Sequence, residues 1–219
     1  PVVDEYLPAS QSGQNSAPVL PALLPSAHGS HSGAPVLPCE LHDEASIAAL
    51  LRGATAAGPL HMVLVASGLL HAGAALQPEK SWRALDANAL AQAFAVNTIG
   101  PALIAKHALG ALARDGKSVY AALSARVGSI EDNRLGGWHA YRASKAALNS
   151  LSRGFAVQDV GSRAVAVLNL HPGWVKTDMG GADADIDVAT SVKGLADVIA
   201  AAHPPCQVYV DYKGSSIPW

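Results

Sequence analysis

The spacing of apolar residues divides the chain near residue 39. In residues 1–38 the apolar runs are cut short by proline, at Pro18, Pro21, Pro25, Pro35 and Pro38. Proline disrupts both helix interiors and central strands. From Cys39 onward, short apolar runs alternate with segments of helical periodicity. We therefore predict an atypical Pro/Ser/Ala-rich segment at 1–38 and a single domain at 39–219.

The second region predicts strands and helices in alternation. Strand-like runs occupy 61–66, 117–123, 165–170 and 207–211, and helical patterns occupy 47–51, 88–113, 140–157 and 191–202. Asp43 is a suitable N-cap for the first helix, and Gly53 a suitable stop. This alternation is typical of a parallel sheet covered on both faces. The expected fold is a doubly wound, Rossmann-like α/β domain with three layers, α/β/α, whose N-terminal part is truncated or irregular.

Composition and charge exclude several classes of protein. The formal net charge is −2 without a Lys/Arg cluster, so nucleic acid is not an expected partner. The apolar runs are too short to cross a bilayer and no secretory signal is recognisable. We therefore expect a cytoplasmic protein with no membrane association. Cys39 and Cys206 are isolated, and the histidines lack metal-ligand spacing, which predicts neither a disulfide framework nor a metal site.

Polar or flexible residues follow three of the predicted strands. Ser67–Gly68, Ser124 and His171–Gly173 each come directly after a strand-like run. In open α/β sheets, ligands bind at the carboxyl ends of the strands. We therefore expect these three segments to meet at one cleft.

Tyr141 and Lys145 are candidates for acid–base chemistry. They stand four residues apart on a predicted helix, so they share one face. A phenol with a pKa near ~10 is a poor acid or base at neutral pH, and a nearby ammonium lowers that pKa. The spacing alone is a weak signal, because such pairs are also common on solvated helix faces.

Ordered motifs around this pair make the signal specific. They are Val96-Asn97-Thr98-Ile99-Gly100, Ser124-Ala-Arg-Val-Gly-Ser-Ile130, Tyr141-Arg-Ala-Ser-Lys145 and His171-Pro172-Gly173-Trp174-Val175-Lys176-Thr177-Asp178. With this set, the chain from about Glu40 to Trp219 resembles the short-chain dehydrogenase/reductase family. Within that family it most resembles the branch of small carbonyl reductases and C-factor proteins.

The resemblance implies a role for each matched residue. Tyr141 would be the general acid or base and Lys145 would lower its pKa. Ser124 would polarise the substrate oxygen, and Asn97 would distort its helix and hold a water in a proton relay. The residues implied to contact an NADP or NAD cofactor are Ser67, Gly68, Asn97, Tyr141, Lys145, Pro172, Gly173, Val175 and Thr177. The resemblance also implies a small-molecule substrate and a homodimer or homotetramer.

Two departures from the family pattern affect these expectations. The family's catalytic serine lies three residues before the glycine that corresponds to Gly128, where this chain has Ala125. Ser124 is therefore the first candidate and Ser129 the second.

The family's glycine-rich phosphate turn is also missing, since Gly29 and Gly33 supply only one pair of it. Residues 1–38 could be a genuine variant or a frame-shifted segment, and we expect dinucleotide affinity to be lower by about 2–4 kcal/mol.

Three functions remain open from the sequence. The first is a short-chain oxidoreductase that acts on a small carbonyl or alcohol with NADP(H) or NAD(H). The second is a cofactor-independent serine hydrolase, an esterase using Ser124, Tyr141 and Lys145 on the same scaffold. The third is a non-catalytic binding or signalling protein.

Overall fold

Four apolar segments form one parallel sheet. The strands are β1 (Met62–Val65), β2 (Ser118–Leu123), β3 (Val165–His171) and β4 (Cys206–Asp211), and they lie side by side in that order. The register aligns Met62, Val119, Ala166 and Cys206 across the sheet. Parallel strands with continuous apolar runs are normally buried on both faces. The predicted sheet is confirmed, and its carboxyl ends meet along one edge.

The structure, a computed structural model, describes residues 36–73, 76–158 and 163–219. Leu37–Trp219 form one compact unit. The predicted N-terminal segment 1–38 lies almost wholly outside the described residues, and its boundary stays a prediction. No helix in the described ranges combines the length and apolarity needed to cross a membrane.

Helices flank the strands, and three of them begin at an aspartate N-cap. They are α1 (Glu44–Ala54), α2 (Ala87–Phe94), α3 (Gly100–Ala108), α4 (His139–Gln158) and α5 (Val188–Ala201). The carboxylate of Asp43 accepts a hydrogen bond from the backbone N–H of Ala45 at 2.9 Å, which confirms the predicted N-cap of α1. Asp86 and Asp187 cap α2 and α5 in the same way.

The long helical pattern predicted over 88–113 is divided in the structure. A five-residue π-helical turn, Ala95–Ile99, separates α2 from α3, and a short 3-10 turn follows at Leu109–Ala111. The sequence placed the interruption at Gly100–Pro101, whereas these residues begin α3. Proline is tolerated in the first turn of a helix because its missing N–H needs no partner there.

Side chains alternate between the two faces of the sheet. Tyr120 and Ala122 of β2 pack with α3 and α4, whereas Val119 and Ala121 face the α5 side. Helix α1 packs on α3 through Ile47. The three-layer α/β/α architecture is therefore confirmed.

The core provides a direct test of this packing. Leu168 of β3 is completely buried on the α5 face, whereas the side chain of Leu135 is 91% exposed. We expect Leu168→Ala to lower the free energy of unfolding by about 2–5 kcal/mol, because it leaves a cavity in the core. Leu135→Ala is the control and should change it by less than about 0.5 kcal/mol. Urea denaturation measures both, and equal losses would contradict the assigned core.

Candidate active site

The three segments predicted to meet do lie at one edge of the sheet. Strands β1, β2 and β3 end at Val65, Leu123 and His171, and Ser67–Gly68, Ser124 and Pro172–Gly173 follow them. Because neighbouring strands are parallel and in register, these loops emerge on the same side. The three segments therefore lie at the same edge of the sheet, as expected.

Asn97 lies in the π-helical turn and is completely buried. Its Oδ1 accepts a hydrogen bond from the backbone N–H of Leu69 at 2.7 Å, and its Nδ2 donates to the Leu69 carbonyl at 2.9 Å. The same Nδ2 donates to Ser144 Oγ on α4 at 3.0 Å. Asn97 thus joins the loop after β1 to α4. The distortion of its helix is confirmed, and its part in a proton relay stays a prediction.

Tyr141 and Lys145 occupy the first two turns of α4. The Lys145 ammonium lies 5.9 Å from the centroid of the Tyr141 ring and donates to the Leu123 carbonyl at 2.7 Å. A β-carbon at Gly128 would lie 2.8 Å from Lys145 Cβ. The chain after β2 can therefore pass this close to α4 only because residue 128 is glycine.

Burial shifts the ionisation of both members of this pair. Burial lowers the pKa of Lys145 to about 8, because desolvation disfavours the ammonium. Burial, with the neighbouring Tyr209, raises the pKa of Tyr141 to about 12. The ammonium bonds to Leu123 rather than to the phenol, and the expectation that Lys145 lowers the Tyr141 pKa stays a prediction. Tyr141 therefore holds its proton firmly.

Gly68 lies beside these groups and has no side chain to cover its backbone. We call this exposed backbone surface the Gly68 wall. A β-carbon at this position would lie 3.7 Å from Lys145 Nζ, 3.8 Å from Met179 Cε and 3.9 Å from Asn97 Oδ1. The adjacent Ser67 Oγ is buried and has no hydrogen-bond partner among the described residues. Gly68 is exposed, and beside it lie an unpaired buried hydroxyl and a lysine, a combination that fits the ribose and ring of a nicotinamide cofactor.

The loop after β3 folds over the same wall. Gly173 has φ of +88°, and a β-carbon there would lie 2.7 Å from Ile186 Cδ1, so this turn requires glycine. Ser191 Oγ donates to the Pro172 carbonyl at 2.7 Å. Thr177 Oγ1 accepts from the Gly180 N–H at 3.1 Å and donates to the Val175 carbonyl at 3.3 Å. These bonds shape the turn that brings Met179 to Gly68.

The two candidate serines form hydrogen bonds with residues other than Tyr141 and Lys145. Ser124 is 3% exposed, and its Oγ donates to Asn149 Oδ1 on α4 at 2.7 Å. Ser129 Oγ accepts from the Asp132 N–H at 3.0 Å and donates to the Trp219 carbonyl at 3.4 Å. The structure brings Asn97, Tyr141, Lys145, Ser67 and Gly68 together. The roles of Ser124 and Ser129 stay predictions.

Sequence reasoning missed three residues of this region. Ser144 and Asn149 are buried polar residues of α4 that contact Asn97 and Ser124. Both follow Tyr141 and Lys145 at intervals of three or four residues, so helical periodicity could have identified them. Met179 approaches Gly68 only through the loop turn, for which the sequence has no periodic signal. The Gly29–Gly33 pair lies outside the described residues.

Comparisons with known proteins agree with this geometry. A family model described as enoyl-(acyl carrier protein) reductase matches residues 23–205, most of the chain. The protein therefore belongs to the short-chain dehydrogenase/reductase family. The match begins upstream of Glu40, where the sequence resemblance was expected to start, and residues 23–35 of it lie outside the described ranges.

Individual relatives support the same assignment. Over 131 residues the chain is 37% identical to C-signal of Myxococcus xanthus, a stretch covering 59% of this chain and 78% of that protein. The carbonyl reductase Sniffer of D. melanogaster is 28% identical, with a TM-score of 0.73 over 82% of this chain and 76% of its own. The NADPH-bound carbonyl reductase from chicken fatty liver is 28% identical, with a TM-score of 0.72 over 84% and 76%. The protein is thus an oxidoreductase of the short-chain type.

The lowered pKa of Lys145 predicts a pH-dependent stability. Between about pH 8 and 10.5 the unfolded chain binds a proton at this lysine that the folded chain does not, so this residue's contribution to the free energy of unfolding rises with pH. Lys145→Met removes that contribution. We expect the free energy of unfolding of the wild type to rise relative to that of Lys145→Met between about pH 8 and 9.5, as measured by urea denaturation.

Lys106 provides the matched control for this measurement, because its side chain is 61% exposed. Lys106→Met should follow the wild-type pH dependence. If wild type and Lys145→Met keep a constant difference over the whole range, the ammonium is not desolvated as described.

Proposed function

We propose that this protein reduces the carbonyl group of a small aldehyde or ketone, with NADP(H) or NAD(H) as the cofactor and Tyr141 as the proton donor. The observation that carries the proposal is the meeting of Tyr141, Lys145 and Asn97 beside the Gly68 wall. The carbonyl reductases among the structural neighbours, including one with NADPH bound, support the choice of substrate class and cofactor.

The residues of this chain fit one half of such a cofactor. When bound, a reduced nicotinamide supplies a hydride to the substrate carbon. Ser67, Gly68 and Lys145 would hold the ribose and ring, and the loop with Gly173 and Thr177 would pack over them. The free Ser67 hydroxyl offers a hydrogen bond that no described residue uses.

Tyr141 supplies the proton in this proposal. As hydride adds to the carbonyl carbon, the π electron pair moves to oxygen, and that oxygen takes the phenol proton. A phenol whose pKa is raised to about 12 is protonated at neutral pH, so Tyr141 carries the proton to be donated, and it remains a stronger acid than the alcohol that the reduced carbonyl becomes. For Lys145 to return a proton to the phenolate, its ammonium would have to turn from the Leu123 carbonyl towards the phenol.

Ser124 is proposed as the group that polarises the substrate oxygen. Its only proton now goes to Asn149 Oδ1, so this role requires the hydroxyl to turn away from Asn149. The same burial and bonding oppose the esterase alternative, because a nucleophilic serine must be exposed to the acyl group and activated by a base. No contact in the described residues favours the hydrolase.

Tyr141→Phe tests the proposal directly. Loss of the donor should lower kcat for NADPH-dependent carbonyl reduction by about 10²–10⁴-fold, while NADPH binding measured by fluorescence is retained. Tyr120→Phe is the control. It also removes a buried hydroxyl, one that donates to the Pro101 carbonyl at 3.0 Å, but in the core away from the cleft. Near-normal turnover in a folded Tyr141→Phe protein would reject the proposed acid.

A pair of variants decides the role of the serine. If Ser124 polarises the substrate, Ser124→Ala should lower kcat by at least about tenfold, since a hydrogen bond to developing charge is lost. Ala125→Ser should then give no gain. Steady-state kinetics with one aldehyde and NADPH measures both.

The opposite pattern, an active Ser124→Ala and a faster Ala125→Ser, would move the polarising position to residue 125. Intact mass after incubation with a p-nitrophenyl ester provides the check on hydrolysis. An acyl adduct on Ser124 without nucleotide would contradict the reductase proposal.

A further inference from the structure

Glu79 is a buried carboxylate that the proposed chemistry does not use. It is 7% exposed. Its two carboxylate oxygens lie 3.3 and 3.4 Å from the backbone N of Ala140, in the first turn of α4. Its own backbone carbonyl accepts from the Trp138 N–H at 2.5 Å. A β-carbon at Gly137 would lie 3.3 Å from that carbonyl oxygen, so the close approach favours a glycine there.

The chain before α4 cannot cap this helix by itself. The first N–H groups of any helix lack partners within the helix, and a polar side chain at the N-cap normally accepts from one of them. Here the residue before the helix is Trp138, whose indole has no acceptor. Its carbonyl takes the Arg142 N–H at 2.8 Å, as an N-cap carbonyl should. The missing side-chain acceptor comes instead from Glu79.

The approach to α4 is also conformationally demanding. Gly136, Gly137 and Trp138 have φ of 64°, 65° and 52° in succession, and a bulky residue rarely adopts such an angle. Contacts must therefore hold this turn in place. Glu79 supplies two of them, one through its backbone and one through its carboxylate. Its negative charge also suits the positive end of the helix dipole.

Tyr141 directly follows the residue that Glu79 holds. Lys145, one turn later, is fixed by the Leu123 carbonyl, whereas Tyr141 lies in the turn that would fray first. We propose that Glu79 is a positioning residue: its carboxylate serves as the N-cap that α4 lacks and so holds Tyr141 in reach of Lys145 and the Gly68 wall. The kinetic part of this inference rests on the proposed function.

The test compares Glu79→Ala with Glu79→Gln in the full chain. The Gln amide oxygen can still accept from Ala140, whereas Ala cannot. In Glu79→Ala we expect amide hydrogen exchange at residues 138–142 to rise about tenfold, and kcat to fall between about tenfold and a hundredfold. KM and the NADPH dissociation constant should stay within about threefold, because Glu79 is not among the residues proposed to hold either ligand. Glu79→Gln should restore most of each change.

Asp43→Ala is the matched control, because Asp43 caps α1 away from the cleft. It should raise exchange in α1 and leave kcat unchanged. If Glu79→Ala does not fold, Glu79→Asp, which keeps the charge but is one methylene shorter, takes its place. Exchange that rises in Glu79→Ala with kcat unchanged would overturn the positioning role, and so would a Glu79→Gln protein as impaired as Glu79→Ala.

A spectroscopic readout separates this inference from the proposed function. The ¹³Cζ resonance of Tyr141, assigned with Tyr141→Phe, should move in Glu79→Ala and return in Glu79→Gln. A resonance that stays in place in Glu79→Ala would overturn the positioning role. A wild-type protein that reduces no carbonyl compound would reject the proposed function, while the resonance and the exchange rates still decide the role of Glu79.

Discussion

The two hydrogen bonds between the Asn97 amide and the backbone of Leu69, one accepted and one donated by Asn97, organise the cleft. They are possible because the π-helical turn places Asn97 where a regular helix would direct another residue. The same amide reaches Ser144, whose hydroxyl donates to the Tyr141 carbonyl at 2.8 Å. The end of β1, the bulge in the α2–α3 helix and the start of α4 are thereby joined through one buried side chain.

Two independent anchors therefore act on the start of α4. Asn97 holds it by donating a hydrogen bond to Ser144, and Glu79 holds it by accepting one from the backbone N–H of Ala140. Neither residue needs to touch a substrate. A site in which the phenol stands on the first turn of a helix depends on such anchors, because helix ends have few internal hydrogen bonds to hold them.

Much of the fold could be predicted because its elements carry clear periodic patterns. The boundaries of α4 and β3 were predicted within one residue, since apolar and polar positions recur at the helical or strand spacing there. The pairing of Tyr141 with Lys145 followed from the same periodicity. The hydrogen-bond partners of Ser124 and Lys145 could not be predicted in this way. Their contacts with Asn149 and with the Leu123 carbonyl depend on which side each strand end faces. Glu79 was hidden for a similar reason: its partner is 61 residues away in sequence.

The desolvation of Lys145 changes which group of the site responds to pH near neutrality. With a pKa of about 8 for the amine and about 12 for the phenol, the amine is the group of this pair that changes charge in the physiological range. An inflection near pH 8 in the rate of such an enzyme is easily attributed to its tyrosine. In this molecule, that inflection would report the protonation of the lysine behind it.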